Sequence, residues 1–310
     1  MKINIEISDG IIGNRLDVVV ANSRLACSRS QAANFVTNHD VLVNGMEKKP
    51  GYKVKSGDLV TGIILDSKNS FEILPEKIHL DILFEDEFIL VIDKKPGMVV
   101  HPAPGNLSGT LVNALLFHEP GIKNAGENPL RSGIVHRLDK DTSGLMVVAK
   151  TKHALQFLQK EFKFRRVEKK YLALVFGNSL DDHGEINLPV GRHPVKRKIM
   201  SINHENGKPA RTIWTVKKKF STASLVEAVL KTGRTHQIRV HFYAIDHPLV
   251  GDPVYQPRRY RRQENVAKRQ MLHSWQLAFR HPYSGQRVFF EAGLPEDFLK
   301  TKDALETVKI

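Results

Sequence analysis

The stretch "SGIVHRLDKDTSGLMVVAK", residues 132–150, sets seven polar or charged side chains within the nine residues from His136 to Gly144. Asp139, Asp141 and Ser143 at alternate positions, followed by Gly144, match the start of an EF-hand loop. Such a loop needs a bidentate Glu at its twelfth position. Counted from Asp139, that position is Lys150, and "GLMVVAK" reads as a strand rather than an exiting helix. Calcium is therefore a poor fit. His136, Asp139 and Asp141 would offer zinc three ligands without a convincing fourth, so no metal is expected. As a glycosidase acid and base pair, Asp139 and Asp141 would have to share a face, which residues two apart do only where a turn allows it. A single catalytic carboxylate with polar helpers, or a solvated turn, remains open.

The elements that must position these residues are legible from periodicity. "FEDEFILVIDKKPGMVVHP" (84–102) reads as strand and turn, "GTLVNALLFH" (109–118) as a short helix and "TKHALQFLQKEFKF" (151–164) as an amphipathic helix. "KKYLALVFG" (169–177) and "SLVEAVLKTG" (224–233) read as strands. In the first of these, Tyr171 shares a face with Ala173 and Val175, opposite Leu172, Leu174 and Phe176. No fixed-period repeat is present, and no Gly-rich phosphate loop joins strand to helix, which argues against a doubly wound nucleotide-binding sheet. The expected class is α+β, with a mainly antiparallel sheet over 76–310 and a smaller module plus linker over 1–75. Within the module, "MKINIEISDG" alternates like a strand, "SRSQAANFVTNHD" (28–40) has a serine cap and helix-spaced Ala32, Phe35 and Val36, and "VLVNG" (41–45) and "LVTGIIL" (59–65) are strands. Residues 66–77 lose the periodicity and contain a proline, as a linker would.

Lys and Arg total 47 against 33 Asp and Glu, a net charge of +14 that recurs in separate runs at 160–166, 192–198, 217–219 and 258–262. Spread positive charge of this kind favours a polyanionic partner, and the basic run 258–270 is expected to be an RNA-contacting loop. Cys27 is the single cysteine, which excludes a disulfide framework and fits a reducing, cytoplasmic setting. The first residues lack the apolar core of a signal peptide. Apolar runs such as "FILVI" (88–92) are far shorter than the roughly 20 residues that span a bilayer, so no membrane partner is expected.

Two resemblances cover nearly the whole chain. "RLD" (15–17), "SRSQA" (28–32), "VLVNG" (41–45), "KP" (49–50) and "SGD" (56–58) resemble the alpha-L RNA-binding module, found in a small-subunit ribosomal protein and in several RNA-modifying enzymes. That likeness implies RNA contacts by Arg29, with Ser28 and Ser30, although Asp40 stands where the family commonly has Gly before the strand. "GIVHRLDKDTSGLMVVAKT" (133–151) looks like the signature of the RluA-type pseudouridine synthases, and the likeness continues through "KKYLALVFG", "LPVGRHPVKRKIM" (188–200), "KTGRTHQIRVH" (231–241), "HPLVGDPVY" (247–255) and "RQMLHSWQLAFRHPYSG" (269–285).

The second resemblance implies a cofactor-independent isomerase that converts uridine to pseudouridine in RNA. It assigns the chemistry to Asp139, as nucleophile or base, and places Tyr171 against the target base, with a further part in removing a proton from its carbon. A basic partner for the carboxylate is best matched by Arg239. If Thr235 caps a helix beginning at His236, Arg239 lies about one turn in, and Arg234 just ahead of it suits a phosphate. Arg137 is implicated in filling the place of a flipped nucleotide or holding it, and His136 and Asp141 in supporting the loop. The likeness of "RHPVKRKIM" and of the N-terminal module to one branch of the family implies large-subunit (23S) ribosomal RNA, at its helix 69 stem-loop, or a pre-ribosomal particle, as the partner of a monomer. The rival expectations are a non-catalytic RNA-binding ribosome assembly factor and, more remotely, a metal-dependent RNA hydrolase.

Overall fold

The computed structural model describes residues 2–23, 29–63, 73–103, 106–196, 199–257, 259–260 and 267–307. Two compact units divide between Glu72 and Ile73. The expected linker at 66–77 lies largely outside the described residues, as does Ser28.

In the first unit β3 (Leu59–Ile63) pairs antiparallel with both β1 (Lys2–Glu6) and β2 (Val41–Val43), beside helices α1 (Leu16–Ala21) and α2 (Arg29–Thr37). The helix spacing is realised, for Ala32 and Val36 of α2 are buried in one cluster with Leu16, Val20, Val43 and Val60, and Phe35 packs at its edge. Burial of each larger aliphatic side chain there stabilises by about 1.5–3 kcal/mol. The turn into β2 does not need the family's glycine, because His39 takes the left-handed position (φ 66°) and Asp40 donates its N–H to the Phe35 carbonyl at 2.9 Å.

The second unit is built on one sheet in the order β4-β5-β6-β13-β7-β12-β11-β8, with β14 beside β13. Its strands are β4 (Asp81–Glu85), β5 (Ile89–Lys94), β6 (Ser143–Ala149), β7 (Glu168–Phe176), β8 (His183–Asn187), β11 (Arg211–Lys219), β12 (Ala223–Leu230), β13 (Leu272–Arg280) and β14 (Arg287–Glu291). A separate hairpin pairs β9 (Val190–Arg192) with β10 (Met200–Ile202). Among the described pairings of the large sheet only β6 with β13 is parallel, so the expected mainly antiparallel α+β class holds.

Helices α3 (Leu111–His118) and α5 (Gln237–Ala244) cover one face of the sheet, packing Leu111, Leu115, Ile238 and Phe242 with Tyr171, Ala173 and Val175. On the opposite face α4 (Lys152–Lys163) packs Leu155 and Leu158 against β5, β6 and β13, and α6 (Glu296–Thr307) packs Phe298 and Leu305 against Leu172, Leu174 and Phe176. The period-2 reading of β7 thus divides two cores. Local chemistry fixes where the helices begin. Thr110 and Asn113 form a reciprocal capping box on α3, and Thr151 caps α4 through Ala154 N–H. No helix among the described residues is long and apolar enough to cross a membrane.

Candidate active site

The charged stretch of the opening motif becomes a loop, residues 135–142, laid across the start of β6 and held from several sides. Gly97 N–H and the Lys94 ammonium both donate to the Lys140 carbonyl, at 3.0 and 2.9 Å, and Arg269 donates to the Asp141 carbonyl at 2.9 Å. Lys94 is buried and also bonds the Lys95 and Met98 carbonyls, so all three ammonium protons are used. Burial pulls its pKa below the usual lysine value, opposed first by Asp141.

Gly144, which made the motif look like a calcium loop, has a different reason to be glycine. It sits at φ +111° where β6 meets β13, and a Cβ there would lie 2.3 Å from the Ser274 carbonyl oxygen. Lys150, the twelfth position, is ion-paired with Glu85 at 2.8 Å.

Asp139 sits in the loop with its side chain 18% exposed, while Arg239 on α5 is 5% and Asp252 0% exposed. These three form a chain of charge running inward from solvent. Arg239 Nη1 donates to Asp139 Oδ2 at 3.0 Å, and its Nε and Nη2 grip Asp252 at 2.7 and 3.0 Å. Burial opposes the arginine's charge, but the bonds and charge of Asp252, then of Asp139, outweigh it and raise its pKa. The guanidinium also lies over the Tyr255 ring, 5.0 Å from its centroid. A bidentate grip fixes the plane of the guanidinium, so the remaining Nη1 positions one carboxylate oxygen of Asp139 and leaves the other near His236 Nε2 at 3.8 Å.

The expected helix cap is displaced by one residue. Thr235 is exposed and caps nothing; α5 begins at Gln237, and its N-cap is His236 in a left-handed conformation (φ 55°) without a side-chain cap bond. The reason is Gln237, whose Oε1 accepts from Arg234 N–H at 3.0 Å and from the Thr232 hydroxyl at 2.7 Å, closing the turn from below. Arg239 still falls in the first turn.

The other expected residues divide. Tyr171 is buried in β7 and lines the same cleft as Asp139. Burial pushes its phenol up to about 12, against a hydrogen bond with Ser274, so it keeps its proton at neutral pH. His136 ties the loop to β6: its Nε2 accepts Val147 N–H at 3.1 Å and its ring stacks on Phe162. Burial, then Lys169, pushes it down to about 3, which leaves it neutral. Asp141 supports through its carbonyl; its carboxylate hydrogen-bonds no described residue. Arg137 is exposed at the cleft, and Arg234 lines it while donating Nε to the Pro209 carbonyl at 3.2 Å. Arg29 is in the other unit, its side chain 59% exposed and its Nε on Asp17 at 3.2 Å. The 258–270 run lies largely outside the described residues; near its end Lys268 is exposed, while Arg269 is buried and clamps Asp297 of α6 at 2.6 and 2.8 Å.

Sequence reasoning missed Asp252, Gln237, Lys94 and Lys169. All four stood inside quoted stretches, but nothing local distinguished a buried carboxylate, a turn-closing amide or a lysine withdrawn from water from their neighbours. The cleft has a volume of about 580 Å³. Asp139 is the single carboxylate among its lining residues, against Arg137, Lys163, Arg165, Lys169, Lys231, Arg234 and Arg239.

Such a floor carboxylate held by a buried arginine, beside a buried tyrosine, defines with this sheet a class of RNA-isomerising enzyme, and comparison with known proteins agrees. Residues 88–244 match the RNA pseudouridylate synthase family and residues 14–60 match the S4 domain. The chain belongs to the RNA pseudouridylate synthase family, of the RluA type, and is an isomerase. It is 42% identical over 312 residues to ribosomal large subunit pseudouridine synthase D of Nitrosomonas europaea, covering 99% of this chain and 88% of that one. The uncharacterized RNA pseudouridine synthase YlyB of Bacillus subtilis is 42% identical over 296 residues, 96% of this chain and 95% of that one. Among solved structures, human RNA pseudouridylate synthase domain containing 1 aligns with a TM-score of 0.60 at 31% identity, over 74% of this chain and 89% of that one.

Proposed function

We propose that this protein isomerises specific uridines to pseudouridine in large-subunit (23S) ribosomal RNA, at the helix 69 stem-loop, acting in the cytoplasm as a monomer without a cofactor. The large-subunit substrate is supported by the names of relatives that match nearly the whole chain. The observation that carries the reading is the Asp139–Arg239–Asp252 chain at the floor of a cleft whose other charged side chains are all cationic.

The reaction breaks the bond between the sugar C1′ and N1 of uracil, turns the base, and joins C5 to C1′; a proton leaves C5 and N1 ends protonated. No oxidation occurs. Asp139 serves it as nucleophile at the sugar or as base, with Arg239 holding its carboxylate in place. Tyr171 provides a flat wall for the base and, with its proton retained, a hydrogen-bond donor. It can take up a proton from C5 only after passing on its own. A stacked uridine must first flip out, at a cost of about a few kcal/mol. Arg137, which pairs with no described acid, suits the vacated place or the flipped nucleotide, and Arg234 a phosphate. In the first unit, Arg29 and Ser28 add RNA contacts.

Asp139→Asn keeps the side chain's shape and one acceptor for Arg239. It should bind a 23S ribosomal RNA fragment with near wild-type affinity yet form no pseudouridine, read by chemical-adduct primer extension. Undiminished conversion by that variant would sink the assignment of the chemistry to Asp139, whereas a wild type that binds the RNA without converting it would leave the assembly-factor reading in its place.

A further inference from the structure

Cations around the cleft differ in their partners. Several outside its lining are paired with acids: Lys170 reaches Glu168 and Glu227, Arg166 bonds Glu161, and Arg287 bonds Glu168. Those lining the cleft ahead of Arg239 have no acidic partner among the described residues. Most stand on the exposed rim, where water solvates an unpaired charge at little cost.

Lys169 is the exception. It is half-buried on β7, adjacent in sequence to the doubly paired Lys170, and it makes neither an ion pair nor a hydrogen bond with any described residue. Its ammonium rests 5.5 Å from the centre of the Phe162 ring. On its other side is Gly233, where an added Cβ would lie 3.5 Å from the Lys169 Nζ. Burial pulls its pKa down to about 8, and no anion among the described residues counters that pull. A cation withdrawn from water without a partner is unfavourable unless a ligand supplies the missing charge.

The position says which part of a ligand. Lys169 and Tyr171 are two residues apart on one strand, hence on one face about 6–7 Å apart. That separation is of the order of the distance from a nucleotide's base to its own phosphate. The turn carrying Gly233 and Arg234 closes the same side, and Gly233 leaves its backbone open to close approach.

We propose that Lys169, seated between Phe162 and Gly233, binds the backbone phosphate of the nucleotide whose base enters the cleft, so that it acts as a positioning residue for the target uridine. This rests on the RNA reading above and deepens it. Lys169 supplies the charge that draws the flipped nucleotide inward, while Arg234 and the rim cations hold its neighbours. No covalent step involves it.

The test uses the full chain and a 23S-derived hairpin that the wild type converts. Lys169→Met keeps the stem against Phe162 and removes the charge. It should raise Kd about tenfold or more, as loss of one charge-assisted bond does. It should also lower the slope of log K against log salt by about 0.7–0.9, the value of one phosphate contact. Lys169→Arg should restore most of both, and conversion at saturating RNA should stay within about threefold of wild type by the KM-against-kcat split expected of a positioning residue.

An arm independent of how any variant folds uses hairpins with a single uncharged methylphosphonate at the phosphate of the converted uridine. Wild type should lose as much affinity on that RNA as Lys169→Met loses on the native one, and Lys169→Met should lose little more. Equal losses by both proteins, or an unchanged salt slope in Lys169→Met, would overturn the proposal while leaving conversion intact. If the wild type neither bound nor converted any ribosomal RNA fragment, the RNA reading itself would fall and this proposal with it.

Discussion

Asp252→Asn is the sharpest test of the charge chain, because it perturbs a residue that touches no substrate. Asp252 is wholly buried and accepts four hydrogen bonds: Arg239 Nε at 2.7 Å on Oδ2, and Arg239 Nη2, Val254 N–H and Tyr255 N–H at 3.0, 2.9 and 3.0 Å on Oδ1. An amide has the same shape, and its best orientation keeps the oxygen at the three-donor position. Its NH₂ then faces Arg239 Nε, donor against donor. Arg239, almost unexposed, loses one bond and its main counterion and retains only Asp139. Breaking a buried pair from one side costs about 3–5 kcal/mol. The surviving contact argues for the low end, about 3 kcal/mol. For a unit of this size each kcal/mol moves Tm by roughly 2–4 °C, so the melting temperature at pH 7 without RNA should drop by about 6–12 °C. Conversion should fall further than stability accounts for, since the guanidinium that positions Asp139 is no longer fixed, while RNA affinity stays near wild type. A shift under about 2 °C with normal conversion would show that Asp252 neither neutralises nor orients Arg239.

Gly144→Ala should leave the catalytic unit unfolded or insoluble, because φ +111° and a Cβ 2.3 Å from the Ser274 carbonyl force β6 off β13. Gly285→Ala, also at positive φ but with nothing within 4 Å, should cost only about 1–2 kcal/mol, so similar melting curves for the two would refute the close-approach argument. His273 is buried on Ser143 and the Ala292 carbonyl, and burial pushes it down to about 4. Its folded pKa lies below the unfolded one of about 6.5, so the unfolded chain binds the extra proton between those values. The contribution is complete above pH 6.5 and is lost as pH falls towards 4, at about 1.4 kcal/mol per unit. Between pH 7 and 5 this is about 2 kcal/mol, and His273→Gln should remove that share of the acid slope. An equal loss of stability between pH 7 and 5 in the wild type and His273→Gln, by denaturant titration at each pH, would count against a buried neutral histidine.

Much of the fold was legible because it is written in short-range patterns. Ala32 and Val36 at helix spacing, the helical runs 109–118 and 151–164, and the alternation of Tyr171 with Leu172 each concern neighbours within a turn or a strand pair. The same locality made one expectation miss. Thr235 has the right chemistry for a cap, yet the turn is closed by Gln237, whose amide also reaches the Arg211 carbonyl and the Thr212 hydroxyl on a strand 25 residues away in sequence.

The sequence by itself, through its resemblance to one family, singled out the candidate residues for the chemistry: one aspartate in a charged loop, a tyrosine on the open face of a strand, and an arginine behind a turn. It also determined a polyanionic partner, through a positive charge spread along the chain. Only the tertiary structure decided what holds and surrounds them. Asp139 and Arg239 are 100 residues apart and meet because a parallel pairing of β6 with β13 lays the loop beside α5. Asp252 becomes a counterion, and Lys169 a half-buried cation with no acidic partner among the described residues, through what packs around them. Burial is a property of what packs around a residue, and no spacing along the chain encodes it.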